Sequence, residues 1–182
     1  MARGSRSADP AAVDRILAAW CRALDAGHGS AGRSWYSDNA AAVVRALPGV
    51  NRDNAVACAA ALAPRVQWWA VLGRLPDVAR GIRGPFYRRS FDVARRALGS
   101  EDPIGKLPGP KTRDFALALL GAPVPVIDIW ATRVGMPEWG GKKLTARRYA
   151  VLRESYSAAA RILGERPDAV QAAVWILARG RA

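Results

Sequence analysis

Leu107-Pro108-Gly109-Pro110-Lys111-Thr112-Arg113-Asp114-Phe115 and, downstream, Val126-Ile127-Asp128-Ile129-Trp130-Ala131-Thr132-Arg133-Val134 are the two most informative stretches of the chain. The first reads as a tight glycine turn opening a helix. Such a start presents backbone N–H groups with no intrahelical partner, and these suit a phosphate. The second reads as a short apolar run, interrupted by Pro125, that delivers Asp128 to the beginning of another helix. A carboxylate there lies near the positive end of a helix dipole. An anion so placed can stabilise positive charge developing on a sugar, or act as a base. The plainer role for Asp128 is a helix cap, and one side chain can serve both ends.

Outward from this centre, nearly all the punctuation is helical. Asp9-Pro10 reads as a cap followed by a first-turn proline, with Val13, Ile16, Leu17, Trp20 and Leu24 at helical spacing until Gly27. A Gly/Ser loop is expected over 27–34, then a helix from Trp35 to Leu47. Asn51 should cap an Ala-rich helix ending at Pro64, whose small side chains suit a central element gripped closely by its neighbours. Short helices are expected over 66–72 and 76–79, a longer one over 86–98, and one over 111–120. Another begins near Asp128, and the last two run over 145–163 and 167–178. The β-like run at 124–127 is short and holds a proline, so an all-α chain is expected. Residues 1–9 read as a disordered basic tail and 10–182 as a single all-helical domain.

Charge narrows the partner. Lys plus Arg number 28 against 15 Asp plus Glu, a net charge of +13. The isoelectric point lies near 11.1. That excess attracts polyanions, and double-stranded DNA is the expected partner. The only cysteines are Cys21 and Cys58 and the only histidine is His28. Soft ligands so few cannot build a zinc site or an iron–sulfur cluster, so neither metal nor cofactor is expected. Both cysteines read as small buried hydrophobes. The longest apolar run, 55–63, is too short to cross a bilayer, and 1–9 carries no apolar signal segment. A monomeric cytoplasmic protein follows as the expectation, associated with the nucleoid, or in a host cytoplasm if the chain is phage-encoded.

In its order of motifs the chain resembles the helix-hairpin-helix DNA glycosylase superfamily of the endonuclease III type. There a hairpin L-P-G-x-G-x-K-T-A precedes V-D-T-H-x-x-R-V; here stand Leu107-Pro108-Gly109 with Lys111-Thr112, then Ile127-Asp128 and Arg133-Val134. Ala61-Leu62-Ala63-Pro64-Arg65, followed by Trp68-Trp69, occupies the place of the family's L-S-A-Q-T helix and turn. Residues 81–98 resemble the helix leading into the hairpin. Ala173-Val174-Trp175-Ile176-Leu177-Ala178-Arg179-Gly180-Arg181 resembles the closing W-L-I-L-H-G-R. The chain departs from the pattern in its missing second hairpin glycine, a shorter loop, and Ile129-Trp130 where the family has a histidine.

The resemblance implies two helical lobes flanking a DNA-binding cleft and an enzyme acting on a flipped-out base. The first expectation is a DNA glycosylase that hydrolyses the N-glycosidic bond. Asp128 would be catalytic, and Lys111 the nucleophile of an added lyase activity or else a phosphate contact. Small phage members of the superfamily suggest an alternative, a transferase that displaces pyrophosphate from an activated 5-hydroxymethyl pyrimidine in DNA. A non-enzymatic DNA-binding protein is the third reading. Leu107, Gly109, Lys106, Arg65, Arg88, Arg89, Arg113 and Arg133 are the candidate DNA contacts. Trp35, Tyr36, Trp68, Trp69 and Trp130 are the candidate base-stacking rings. Trp20, Trp139 and Trp175 read as packing residues.

Overall fold

A computed structural model describes residues 7–180. Among them every regular element is helical, with no strand: α1 (Pro10–Asp25), α2 (Gly29–Ala46), α3 (Arg52–Leu62), α4 (Trp68–Ala79), α5 (Arg88–Leu98), α6 (Gly109–Leu119), α7 (Ile129–Gly135), α8 (Ala146–Leu163) and α9 (Pro167–Arg179). A single 3-10 turn, Pro137–Trp139, follows α7. The chain divides into two compact units: Ser37–Ala122 forms one, and the described residues on either side of it form the other. The boundary falls within α2. Residues 1–6 of the expected tail, and Arg181 of the closing motif, lie outside the described residues. Ala8 packs on the core of its unit, and the Asp9 backbone N–H donates to Ser155 Oγ at 3.0 Å.

The unit that contains α7, α8 and α9 is built on α1, whose buried stripe Val13, Ile16, Ala19, Trp20 and Ala23 meets all three. The Asp9 carboxylate accepts from Ala12 N at 2.8 Å and starts this helix as the sequence suggests. Leu152, Tyr156, Val170 and Val174 complete the core. In the other unit α3 is the hub, packed by α4, α5 and α6. All of its residues from Ala55 to Leu62 are buried, and Asn51 caps it through a bond from Asp53 N at 2.9 Å. A helix enclosed on every side needs small side chains so that neighbours approach, which is what its alanines provide.

Three expectations are corrected. The loop over 27–34 is helical from Gly29. Packing overrides the poor propensity of that stretch. Gly32 is buried so tightly that an added Cβ would stand 2.5 Å from Ala173 Cβ and 2.8 Å from its Cα and N. Second, the two short helices at 66–72 and 76–79 are one, running through Gly73 and Pro76. An interior proline removes a hydrogen bond and costs about 3 kcal/mol. The stripe Val71, Leu75 and Val78, buried on one face, offsets that cost.

Third, Cys21 is exposed, whereas Cys58 is fully enclosed. Burial pushes the Cys58 thiol up to about 12, and Arg95 only partly opposes this. Since the thiolate is the nucleophile, Cys58 should resist a disulfide reagent throughout pH 7–9. Cys21 should react promptly in the native protein, giving one fast thiol and a second only on unfolding. Two fast thiols in a titration of the folded chain would contradict the packing of α3.

Candidate functional site

Asp128 ends the extended stretch before α7 and caps it, its Oδ1 accepting from the backbone N–H groups of Trp130 and Ala131, each at 2.9 Å. The other carboxylate oxygen accepts the indole N–H of Trp175 at 3.1 Å. Three donors therefore fix a half-buried anion, and both expected roles, cap and oriented carboxylate, fall on one side chain. Beneath it the Tyr156 hydroxyl donates to Ala131 O at 3.2 Å. Burial, reinforced by the Asp128 charge, drives that phenol far above its ordinary range, so Tyr156 stays neutral.

Trp175 had no place among the expected site residues. It lies edge-on to Trp35 with ring centroids 5.7 Å apart, and the Arg179 guanidinium sits 4.9 Å from its own centroid. The signal that could have found it is its place in the closing helix: a tryptophan among alanines, with a polar indole N–H that needs a partner when half buried. Trp35 thus touches the site through Trp175. Tyr36 does not present a ring: it is buried, with its hydroxyl donating to Gln171 Oε1 at 2.6 Å. A side chain held there is core, which corrects its assignment to base stacking. Trp130 and Arg133 pair with each other, the guanidinium 4.8 Å from the ring centroid.

The hairpin lies in the other unit. Gly109 there has φ +68, a left-handed conformation that favours glycine, and α6 begins on it with no side-chain cap. Pro110 leaves that first turn one N–H poorer than the family pattern. Lys106, Gly109 and Lys111 are exposed. Leu107 is buried, anchoring the turn, so its side chain cannot serve as a DNA contact. The Arg113 Nε–H donates to Leu107 O at 2.9 Å, giving this exposed arginine a structural duty as well.

Arg88 and Arg89 are exposed at the start of α5, Arg88 within 4.0 Å of Asp92. Trp68 is half buried, its indole N–H bonded to Asn39 Oδ1 and its ring edge-on to Phe115 at 5.3 Å. Trp69 is different, 75% exposed at the start of α4. Between α3 and α4, Arg65 is exposed with φ +64, the only non-glycine with positive φ among the described residues. Such a conformation costs about 1 kcal/mol outside glycine. Arg65→Gly should therefore raise the stability by roughly 0.5–1 kcal/mol. If Arg65 touches DNA, the same variant should bind duplex more weakly; urea unfolding and anisotropy titrations read the two effects separately.

Among the described residues no group of histidine, cysteine and carboxylate side chains could hold a metal ion, and no helix is long and apolar enough to cross a membrane. No curated protein and no solved structure matches the chain. One family model does, over residues 2–182, and the chain belongs to that family of unknown function, DUF7178.

Proposed function

We propose that this chain is a DNA-processing enzyme acting on a flipped-out base, in the first place a DNA glycosylase. The observation that carries the reading is the Asp128 carboxylate, held by three N–H donors beside Trp175 and Trp35. The net charge of +13 supports a DNA partner, and the motif order from Arg65 through the hairpin to Asp128 supports this reaction class. In the reaction, the glycosidic C–N bond breaks and its electron pair leaves with the base. Asp128 stabilises the positive charge on the sugar and takes a proton from the water that adds to the anomeric carbon. The base gains a proton. In the bifunctional form of the reaction the neutral Lys111 amine adds to that carbon in place of water and loses a proton; the sugar C1′–O4′ bond then opens, the ring oxygen takes up a proton, and an imine results. Lys106, Gly109 and the α6 N–H groups would hold a backbone phosphate. Trp35, Trp68, Trp69 and Trp130 are the rings we propose for stacking on the base.

The test is base release and borohydride trapping on duplexes bearing uracil, oxidised purine, hydroxymethyluracil or an abasic site, with Lys111→Ala and Asp128→Asn alongside. A trapped adduct that disappears in Lys111→Ala establishes the bifunctional enzyme; release without trapping establishes the monofunctional one. Neither signal on any duplex overturns the glycosylase reading. Activated hydroxymethyluracil DNA with an amine donor then tests the transferase, in which pyrophosphate leaves and the strand stays intact. A pure DNA-binding protein would show no reaction and no response to Asp128→Asn.

A further inference from the structure

A recess of about 630 Å³ opens where α8 begins, within the unit that contains α1, α7, α8 and α9. Trp139 and Val151 give it an apolar wall, and Lys143, Arg147 and Arg148 bring cations to it. Arg148 is already engaged, lying 5.2 Å from the Trp139 ring centroid and donating to Lys143 O. Lys143 and Arg147 are exposed, and neither has a carboxylate within ion-pair distance among the described residues. The acid on the wall, Asp9, is occupied as the cap of α1.

The chain's own groups leave the positive charge at this helix start uncompensated. The first turn of α8 contains Arg147 and Arg148 and no acid, although the positive end of a helix dipole disfavours cations. The first intrahelical bond runs from Tyr149 N to Thr145 O, so the N–H groups of Ala146 and Arg147 stand ahead of it. A dianion seated in the recess would relieve that repulsion. The size of the recess also falls in the range of small-molecule sites.

We propose that this recess is a phosphate-binding site, seating a phosphoryl group between Lys143 and Arg147 against the wall formed by Trp139. The phosphate comes either from a free nucleotide or from a DNA strand. The site is separate from Asp128 and does not depend on its chemistry.

The test titrates the whole protein with inorganic phosphate and thymidine 5′-monophosphate by calorimetry, and with a short duplex by anisotropy over a range of salt. Wild type is compared with Lys143→Glu/Arg147→Glu and with the milder Lys143→Gln/Arg147→Gln; thermal melts confirm that both fold. The expected result is at least a tenfold loss of phosphate and nucleotide affinity on charge reversal, with the Gln pair between. A slope of log K against log salt that also falls by about 0.9 for each DNA phosphate no longer neutralised assigns the site to DNA. An unchanged slope with nucleotide binding abolished assigns it to a free phosphate ester. If wild type binds neither small ligand at millimolar concentration and the duplex is indifferent, or if the variants bind as well as wild type, the proposal is overturned.

Discussion

On the proposed glycosylase reading, Asp128→Asn should lower the rate of base release by about a thousandfold under single-turnover conditions, roughly 4 kcal/mol of transition-state stabilisation. Duplex affinity should change little. The variant is informative because asparagine caps a helix almost as well as aspartate. The bonds from Trp130 N and Ala131 N can persist with the amide oxygen in place of Oδ1. The amide NH2 would then face the Trp175 indole N–H, donor against donor, with a modest loss of stability. Chemistry and cap are thereby separated. Trp175→Phe completes the series: it keeps a ring for Trp35 and Arg179 but removes the donor to Oδ2. A hydrogen bond to a charged group is worth about 1.5–3 kcal/mol, so a tenfold to hundredfold slower reaction is expected. Were Asp128→Asn to act within threefold of wild type on a substrate the protein turns over, Asp128 would be a cap alone.

Local signals made the helix starts and stops legible. Asp9, Asn51 and Thr145 are caps because their short polar side chains reach backbone N–H groups two or three residues on. The alanine run of α3 announces close packing because small residues have no other use in a fully enclosed helix. Asp128 was legible for the same reason, as an aspartate between an apolar stretch and a helical pattern. What escaped depends on contacts remote in sequence. Nothing in 27–34 tells that Ala173 will lie against Gly32, and without that contact glycine and serine read as loop. Pro76 reads as a break because its neighbours' burial is not local information. Trp175 is 47 positions from Asp128, so its hydrogen bond cannot be seen in any window of the chain. Arg95 in α5 is a further case: it donates to the carbonyls of Val78 and Ala79 and so closes the end of α4, a contact 16 to 17 positions away in the chain.

Two glycine-to-alanine substitutions should move stability in opposite directions, the larger effect falling on Gly32. At an exposed interior helical site, alanine in place of glycine gains about 0.5–1 kcal/mol. Gly73 in α4 is such a site, with nothing within 4 Å of an added Cβ, and Gly73→Ala should stabilise by about that amount. Gly32 is also helical, but its added methyl would meet Ala173 Cβ at 2.5 Å and the Ala173 backbone at 2.8 Å. That contact lies against α9, whose Val170, Ala173 and Val174 are core. Relief requires the two helices to separate, which overpacked cores resist by about 1–3 kcal/mol. Gly32→Ala should therefore destabilise, and Gly32→Val, branched at Cβ, should lose about 3 kcal/mol or more. For a chain of this size that is a fall in Tm of roughly 6–12 °C. Ala173→Gly combined with Gly32→Ala should recover only part of the loss, since the Cα and N at 2.8 Å remain. A Gly32→Ala variant that melts at or above wild type would mean that α2 and α9 do not meet here, and that the helix from Gly29 has some other cause.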